Sequence, residues 1–178
     1  MEQILAEELI RQVRENGMEQ ATDVLALTDY LHNGEDGWNE SDDVHAVFRE
    51  RVAETLYKDF SGADKGLITY LLQEERRFCV AETLMTDMLR RLTFMLYVVG
   101  DVTDIPLLFA AKFATSFDAM CGLDVELIFG KNREETIAYY TTHPHPDYDI
   151  VAAINERDSN DYSSPDEFIA GMRYYFAD

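Results

Sequence analysis

The sequence predicts an all-α fold of stacked antiparallel helical hairpins, either a short HEAT-like array or a compact multi-helix bundle, in a single domain at 1–178. Three observations predict this class. Apolar residues recur every three or four positions, and strand-like alternation is scarce. Only 4 Pro and 9 Gly interrupt the chain. The breaks between periodic segments are short, which favours antiparallel neighbours. The 47% hydrophobic content excludes intrinsic disorder.

The N-terminal third predicts three helices. Apolar residues at four-residue spacing indicate a first helix that ends at Gly17. A second helix is predicted over about 18–31, and a polar loop follows at 32–41. Ser41 is expected to cap the third helix. Its apolar stripe repeats at i, i+4 through Val44, Phe48, Val52, Leu56 and Phe60.

The middle of the chain is more apolar and predicts three further helices. Asp64 is expected to cap the first of them, and a break is predicted near 78–81 before the second. The second should end at the Gly100 turn. Asp104 is expected to cap the next helix, since Pro106 sits in its first turn, where a missing N–H costs nothing.

The C-terminal part predicts four shorter helices. Ser116 is expected to open the first of these and Gly130 to close it. Two more are predicted at 133–141 and 148–156. The sequence SPDE at 164–167 is a capping box with proline at the first helical position, and it predicts the last helix.

One stretch carries a resemblance. The segment GDVTDIPLLFAAKFATSFDAMCGLDVELIFG at 100–130 resembles a stretch of small uncharacterised bacterial α-helical proteins. The spacing of the hairpins predicted within 62–141 also resembles the repeat length of HEAT and armadillo arrays. The resemblance implies a helical-hairpin fold and brings no functional residue with it.

Charge is unevenly distributed along the chain. The formal net charge is -20, and residues 1–60 hold 15 Asp/Glu against 5 Lys/Arg. Residues 61–100 hold 5 of each, and residues 101–178 again hold 15 against 5. Such a chain repels nucleic acid and anionic membranes and attracts basic partners. We therefore expect no nucleic-acid or membrane partner.

Several protein classes are excluded by what the sequence lacks. Cys79 and Cys121 are too few and too far apart for a disulfide framework or a zinc site, which suits a reducing compartment. No secretory signal is apparent, and the longest apolar stretch, 92–99, is too short to span a bilayer. We expect a soluble cytoplasmic protein. Phosphate-binding and hydrolase motifs are also absent, so the sequence predicts neither an enzyme nor a cofactor.

The sequence THPHPDYD at 142–149 is a candidate for metal binding or proton transfer. His143, His145, Asp147 and Asp149 supply imidazole and carboxylate groups within a short span. Each proline forces the residue before it into an extended conformation, so the histidines cannot share a helical face. We therefore predict a stiff connection into a helix capped by Asp147 or Asp149, and no metal site.

Charged residues within apolar segments form two further candidates. Lys112 lies on an apolar helical face, and a buried ammonium needs a partner. We predict a bridge from Lys112 to Asp118 or Asp124, with a catalytic lysine as the alternative. Two arginine pairs form the second candidate. They could bind an anion, but we predict that they pair with neighbouring acids. The pairs are Arg76 and Arg77, and Arg90 and Arg91, beside Glu74, Glu75, Glu82 and Asp87.

Tyrosines and carboxylates alternate in the C-terminal third. Tyrosine supplies interface area at low entropic cost, and carboxylates steer a basic partner. This predicts an acidic interaction protein that binds a basic protein, such as an inhibitor or an immunity-type protein. A DNA-mimic regulator or a structural scaffold repeat is the alternative. The predicted partner-binding residues are Glu134, Glu135, Tyr139, Tyr140, Asp147, Tyr148, Asp149, Asp161 and Tyr162.

Overall fold

The structure is a computed structural model that describes residues 2–32, 43–157 and 162–177. Within these ranges the protein is all-α, with eleven α-helices, four single-turn 3-10 helices and no β-strand. The only strand-like pairing there is an isolated antiparallel bridge between His32 and Asp43. The predicted fold class is confirmed, while the stacked-hairpin arrangement stays a prediction. Within the described ranges, no helix combines the length and the apolar content that crossing a bilayer requires.

The N-terminal part contains α1 (Glu2–Asn16), α2 (Thr22–Leu25) and α3 (Ala46–Tyr57). Gly17 ends α1 with a positive φ of 82°, as predicted. The predicted continuous helix at 18–31 is wrong, because two 3-10 turns, Met18–Gln20 and Ala26–Thr28, flank the single turn of α2. Thr28 contributes to the irregularity, since its hydroxyl donates to the carbonyl of Leu25 at 2.7 Å.

The third helix begins later than its apolar stripe suggests. Helix α3 starts after His45, so Val44 precedes it and is 57% exposed, whereas Val52 and Leu56 are buried. The predicted cap Ser41 and most of the predicted loop at 32–41 lie outside the described residues.

The middle part contains α4 (Lys65–Ala81), α5 (Asp87–Val99) and α6 (Ile105–Phe113), with 3-10 turns at Gly62–Asp64 and Val102–Asp104. The break between α4 and α5 falls at 82–86, just after its predicted position. Thr86 caps α5 by accepting from the amide of Leu89 at 2.9 Å. Asp64 and Asp104 each occupy the N-cap position of the following helix, yet their side chains complete capping boxes in the preceding 3-10 turns.

The C-terminal part is divided into short helices. They are α7 (Phe117–Gly122), α8 (Glu126–Phe129), α9 (Arg133–Thr142), α10 (Ile150–Asn155) and α11 (Pro165–Tyr175). The single helix predicted from Ser116 to Gly130 is wrong, because Leu123 is extended and separates α7 from α8. The capping box of α11 is confirmed, since Ser164 and Glu167 satisfy each other's backbone amides.

Helices α4 and α5 lie at the centre of the core. Leu71, Leu92 and Met95 are fully buried, and α5 also packs against α3, α6, α8 and α11. Helix α11 docks through aromatic contacts, with the Phe168 ring centroid 4.9 Å from that of Tyr97 on α5. Burial of an aromatic side chain of this size contributes about 2–3 kcal/mol. The last helix is therefore part of the same core as the centre of the chain.

A fully buried ion cluster connects the N-terminal part to this core. The guanidinium of Arg49 on α3 binds the carboxylates of both Asp43 and Glu75, and none of the three side chains is exposed. Arg49 also donates to the carbonyl of Thr28 at 3.2 Å, and the Thr86 hydroxyl donates to Glu75. Burial raises the pKa of Glu75, and the charge of Arg49 opposes that rise.

Candidate functional site

Helix α9 carries four of the predicted partner-binding residues. Glu134 and Glu135 lie in its first turn, where a negative charge is favoured by the helix dipole, and both are exposed. Asn132 caps this turn by accepting from the amide of Glu135 at 3.1 Å. Tyr139 lies in the last turn and is half-buried. The two glutamates therefore face solvent beside a fixed helix end.

Tyr140 occupies the inner side of α9. It is 5% exposed, and its hydroxyl donates to the carbonyl of Val102 at 2.8 Å. Burial raises the pKa of Tyr140 to about 12. Thr136, four residues earlier, is also buried and marks the inner face, but a threonine there hides the apolar periodicity from the sequence. Tyr140 is a core residue that offers a partner little area.

The connection from α9 to α10 is built on stacked rings. The His143 ring lies on Tyr139, with 4.6 Å between centroids. The His145 ring lies on Tyr148 at 4.9 Å and is nearly parallel to it, and Tyr148 in turn lies on Phe109 of α6 at 4.9 Å. Pro144 lies between the two histidines and keeps them on separate stacks. The connection together with the last turn of α9, residues 139–149, is called the stacked loop below.

Two carboxylates occupy the second half of the stacked loop. Asp149 caps α10 by accepting from the amide of Ala152 at 2.9 Å, as predicted. The amide of Asp147 donates to Nδ1 of His145 at 3.2 Å. The Asp147 side chain is exposed and forms no ion pair within 4.0 Å among the described residues. A cavity of about 330 Å³ opens here, lined by Tyr140, Pro144, His145, Pro146, Asp147, Tyr148, Asp149, Ile150 and Val151.

The remaining predicted residues lie toward the other end of α9. Tyr162 packs edge-on against Phe129 at 5.2 Å and lines a second cavity of about 320 Å³ together with Glu134. Glu135 lines a third cavity, of about 200 Å³. Asp161 lies outside the described residues. The structure thus places the described set along α9 and its two flanks rather than in one pocket.

The cations of this region do not neutralise these acids. Arg133 donates to the carbonyls of Ile154 and Arg157 at 2.9 and 2.8 Å, at the end of α10. Arg157 donates to the carbonyl of Ala153, and Lys131 donates to that of Gly100 at 2.9 Å. The last carbonyls of a helix lack partners within the helix, and cations satisfy them well. Among the described carboxylates beyond Asp104, only Glu156 has a cation within 4.0 Å, namely Arg157 at that limit.

Lys112 follows the same pattern, and its predicted bridge to Asp118 or Asp124 is wrong. Its Nζ donates to the carbonyls of Met120 and Leu123 at 2.8 and 2.5 Å, at the end of α7. Burial lowers the pKa of Lys112, while the charge of Asp124 opposes that effect. The sequence missed this arrangement because it predicted one continuous helix and therefore no helix end at 122.

Most of the arginines in the two pairs contact other helices and do not form the ion pairs predicted with acids nearby in the sequence. Arg76 donates to the carbonyl of Ala114 at 3.1 Å, and Arg90 donates to that of Gly122 at 2.8 Å. Arg91 lies 3.8 Å from Glu54 and over the ring of Phe176. Only Arg77 forms the predicted kind of local pair, with Glu74 at 2.8 Å. The pairs lie on different helices, α4 and α5, so the four guanidinium groups do not share one helical face.

The part of the chain that the structure describes contains no set of side chains arranged to bind a metal ion. No group there brings together three or more histidine, cysteine or acidic side chains in a metal-binding arrangement. His143 and His145 each belong to a different ring stack. Comparison with protein families, curated proteins and solved structures finds no match for this chain.

Proposed function

We propose that this protein binds a basic protein partner through the acidic surface formed by the first turn of α9 and the stacked loop, in the manner of an inhibitor or immunity-type protein. One observation carries the proposal. The cations between residues 105 and 157 are bound to carbonyls at helix ends, so the exposed carboxylates Glu134, Glu135 and Asp147 keep their charge without a nearby counterion.

The arrangement suits fast and specific association. Uncompensated charge raises the rate at which an oppositely charged protein is encountered, and the effect falls with ionic strength. The stacked rings of the loop are held before binding, so little side-chain entropy is lost when a partner docks against them. Half-buried Tyr139 and Tyr148, with the histidine rings stacked on them, supply apolar area to this surface.

The test compares two variants of equal net charge. The site variant combines Glu134→Gln, Glu135→Gln and Asp147→Asn, and the control combines Glu7→Gln, Glu19→Gln and Asp23→Asn, all at exposed positions. Each removes three of the acidic charges that make up the net -20. Proteins captured from lysate on the wild-type chain at low salt are identified, and association rates are then measured with the captured basic protein.

We expect the site variant to slow association by about tenfold at low ionic strength and the control by less than about twofold. Equal slowing by both variants would show that only net charge matters and would remove this surface from the proposal. Capture of no basic protein at low salt contradicts the function itself. Release of the captured protein by duplex DNA in place of salt would point to the DNA-mimic alternative.

A further inference from the structure

The two histidines of the stacked loop lie at the outer ends of their ring stacks. His145 covers Tyr148 with an angle of 6° between the rings, and His143 covers Tyr139 with an angle of 20°. Any partner that docks on the rings of this loop therefore meets an imidazole. The charge of the imidazole decides whether a cationic side chain is attracted or repelled.

The hydrogen bonds assign the proton on the ring of His145. Nδ1 of His145 accepts from the amide of Asp147 at 3.2 Å, so this nitrogen carries no hydrogen and the ring is neutral with its proton on Nε2. Nδ1 of His143 lies 3.2 Å from the carbonyl oxygen of Tyr139 and 2.9 Å from the hydroxyl of Thr142. A hydroxyl can donate or accept, so these contacts are compatible with either neutral tautomer of His143.

Protonation has different consequences at the two positions. A proton added to His145 must go to Nδ1, which turns the acceptor of the Asp147 amide into a donor and breaks that hydrogen bond. A protonated His143 keeps its contacts in the loop, because the carbonyl of Tyr139 and the hydroxyl of Thr142 can both accept from Nδ1. The first event releases the backbone that places the Asp147 carboxylate, and both events add positive charge to an acidic surface.

Other charged or titratable groups lie in the elements packed around the rings. Histidine is the side chain whose ordinary pKa puts its charge change between pH 5 and 8. The other charged or titratable groups are carboxylates, tyrosines and cations from each packed element. They are Asp147, Tyr148 and Asp149 in the loop, Tyr139 and Tyr140 on α9, Asp101 and Asp104 before α6, and Lys112 and Arg157 over Phe113.

We propose that the His143–His145 pair makes this surface pH-sensitive, so that it holds a basic partner at neutral pH and releases it in mild acid. The inference rests on the function proposed above and adds its regulation. His145 acts by rearranging the turn at Asp147, and His143 acts by charge alone.

The first experiment needs no partner and reads the switch directly. Nuclear magnetic resonance of the labelled protein reports the tautomer of each ring and the Asp147 amide as the pH is lowered from about 7.5 to about 5.5. We expect the Nε2–H tautomer for His145 at the higher pH. The Asp147 amide should shift and exchange faster as His145 titrates. The proposal is overturned if His145 is found as the Nδ1–H tautomer. It is also overturned if the Asp147 amide signal does not change as His145 titrates.

The second experiment uses an oligo-arginine peptide as the probe, at constant ionic strength. The matched variant combines His143→Asn and His145→Asn, because a carboxamide can donate to Tyr139 or accept from Asp147 and does not titrate here. We expect the wild type to lose about fivefold in affinity between the two pH values, as two added charges near the contact predict, and the variant to lose almost nothing. Equal losses overturn the proposal. No peptide binding at the higher pH contradicts the proposed function, while the tautomer experiment still decides whether the loop switches.

Discussion

Residues 1–60 and residues 101–178 carry the same formal charge, 15 acidic against 5 basic residues, yet they use their cations differently. In the first region, Arg11, Arg14, Arg49 and Arg51 all form ion pairs with carboxylates. In the second, Lys112, Lys131, Arg133 and Arg157 donate to backbone carbonyls.

The ion pairs of the first region have two origins. Arg11 and Arg51 pair with acids three or four residues away on the long helices α1 and α3. Arg14 and Arg49 pair with carboxylates outside their own helices, which the packing brings to them. The second region is cut into short helices, and each end leaves carbonyls that lack an intrahelical partner. Cations that donate to those carbonyls are not paired with acids of the region. Equal composition therefore gives cations paired with carboxylates in one region and cations bound to carbonyls in the other, and both regions keep an excess of acids.

The largest loss of stability is expected when the buried Arg49, which binds two carboxylates of the core, is replaced. Arg49→Met leaves Asp43 and Glu75 buried without the guanidinium that binds both, so we expect a loss of about 3–5 kcal/mol in the free energy of unfolding. Denaturant unfolding measures it. The control Arg51→Met removes an exposed pair with Glu54 and should cost less than about 1 kcal/mol. Similar losses for both would mean that burial does not set the strength of pairing in this region.

The second prediction concerns the free energy of unfolding when a cation that donates to backbone carbonyls is removed. Lys112→Met leaves the carbonyls of Met120 and Leu123 without their donor, and we expect a loss of about 1–3 kcal/mol. Lys131→Met is the control, because Lys131 is exposed and water can replace it at Gly100.

The pH dependence of stability, compared between the wild type and Lys112→Met, tests whether the buried ammonium is the cause. Because burial lowers the pKa of Lys112, the folded state binds its proton less tightly than the unfolded state does. Wild-type stability should therefore rise as pH approaches the ordinary lysine pKa of about 10.4, and the rise should be absent in the methionine variant. A wild-type curve parallel to that of the variant would show that the buried ammonium is not the cause.

The smallest effect lies between the two regions, where Lys65 pairs with Asp101 and Asp104. The Lys65 ammonium and the hydrogen bonds from Thr103 hold the pKa of Asp101 well below its ordinary value. A lowered carboxyl pKa contributes stability above the unfolded pKa of about 3.9 and loses it as pH falls further.

Asp101→Asn keeps the cap on Thr103 and removes the charge, so it should cost less than about 1 kcal/mol at pH near 7, since the Asp101 side chain is 61% exposed. The cost should shrink below about pH 4. Unfolding curves of both proteins at several pH values measure it, and a cost that does not change with pH would rule out the ion pair as its source.

Much of the fold was predictable because the signals are local. Gly17, Ser116 and the Ser164 capping box mark helix ends through backbone conformation and nearby side chains, and the structure confirms each of them. The predictions at 18–31 and 116–130 are wrong because apolar periodicity continues across positions where the backbone turns. Periodicity reports which face is buried, and it does not report that the helix is continuous.

The helical class, the acidity of both ends and the placement of carboxylates beside tyrosines in the C-terminal third follow from the order of the amino acids. The pairing of Arg49 with Asp43 and Glu75, the burial of Tyr140 and the binding of C-terminal cations to carbonyls follow from the packing of the helices. The physical reason is that a cation's partner depends on which helix ends and which carboxylates reach it in space, and those distances exist only after the helices have packed.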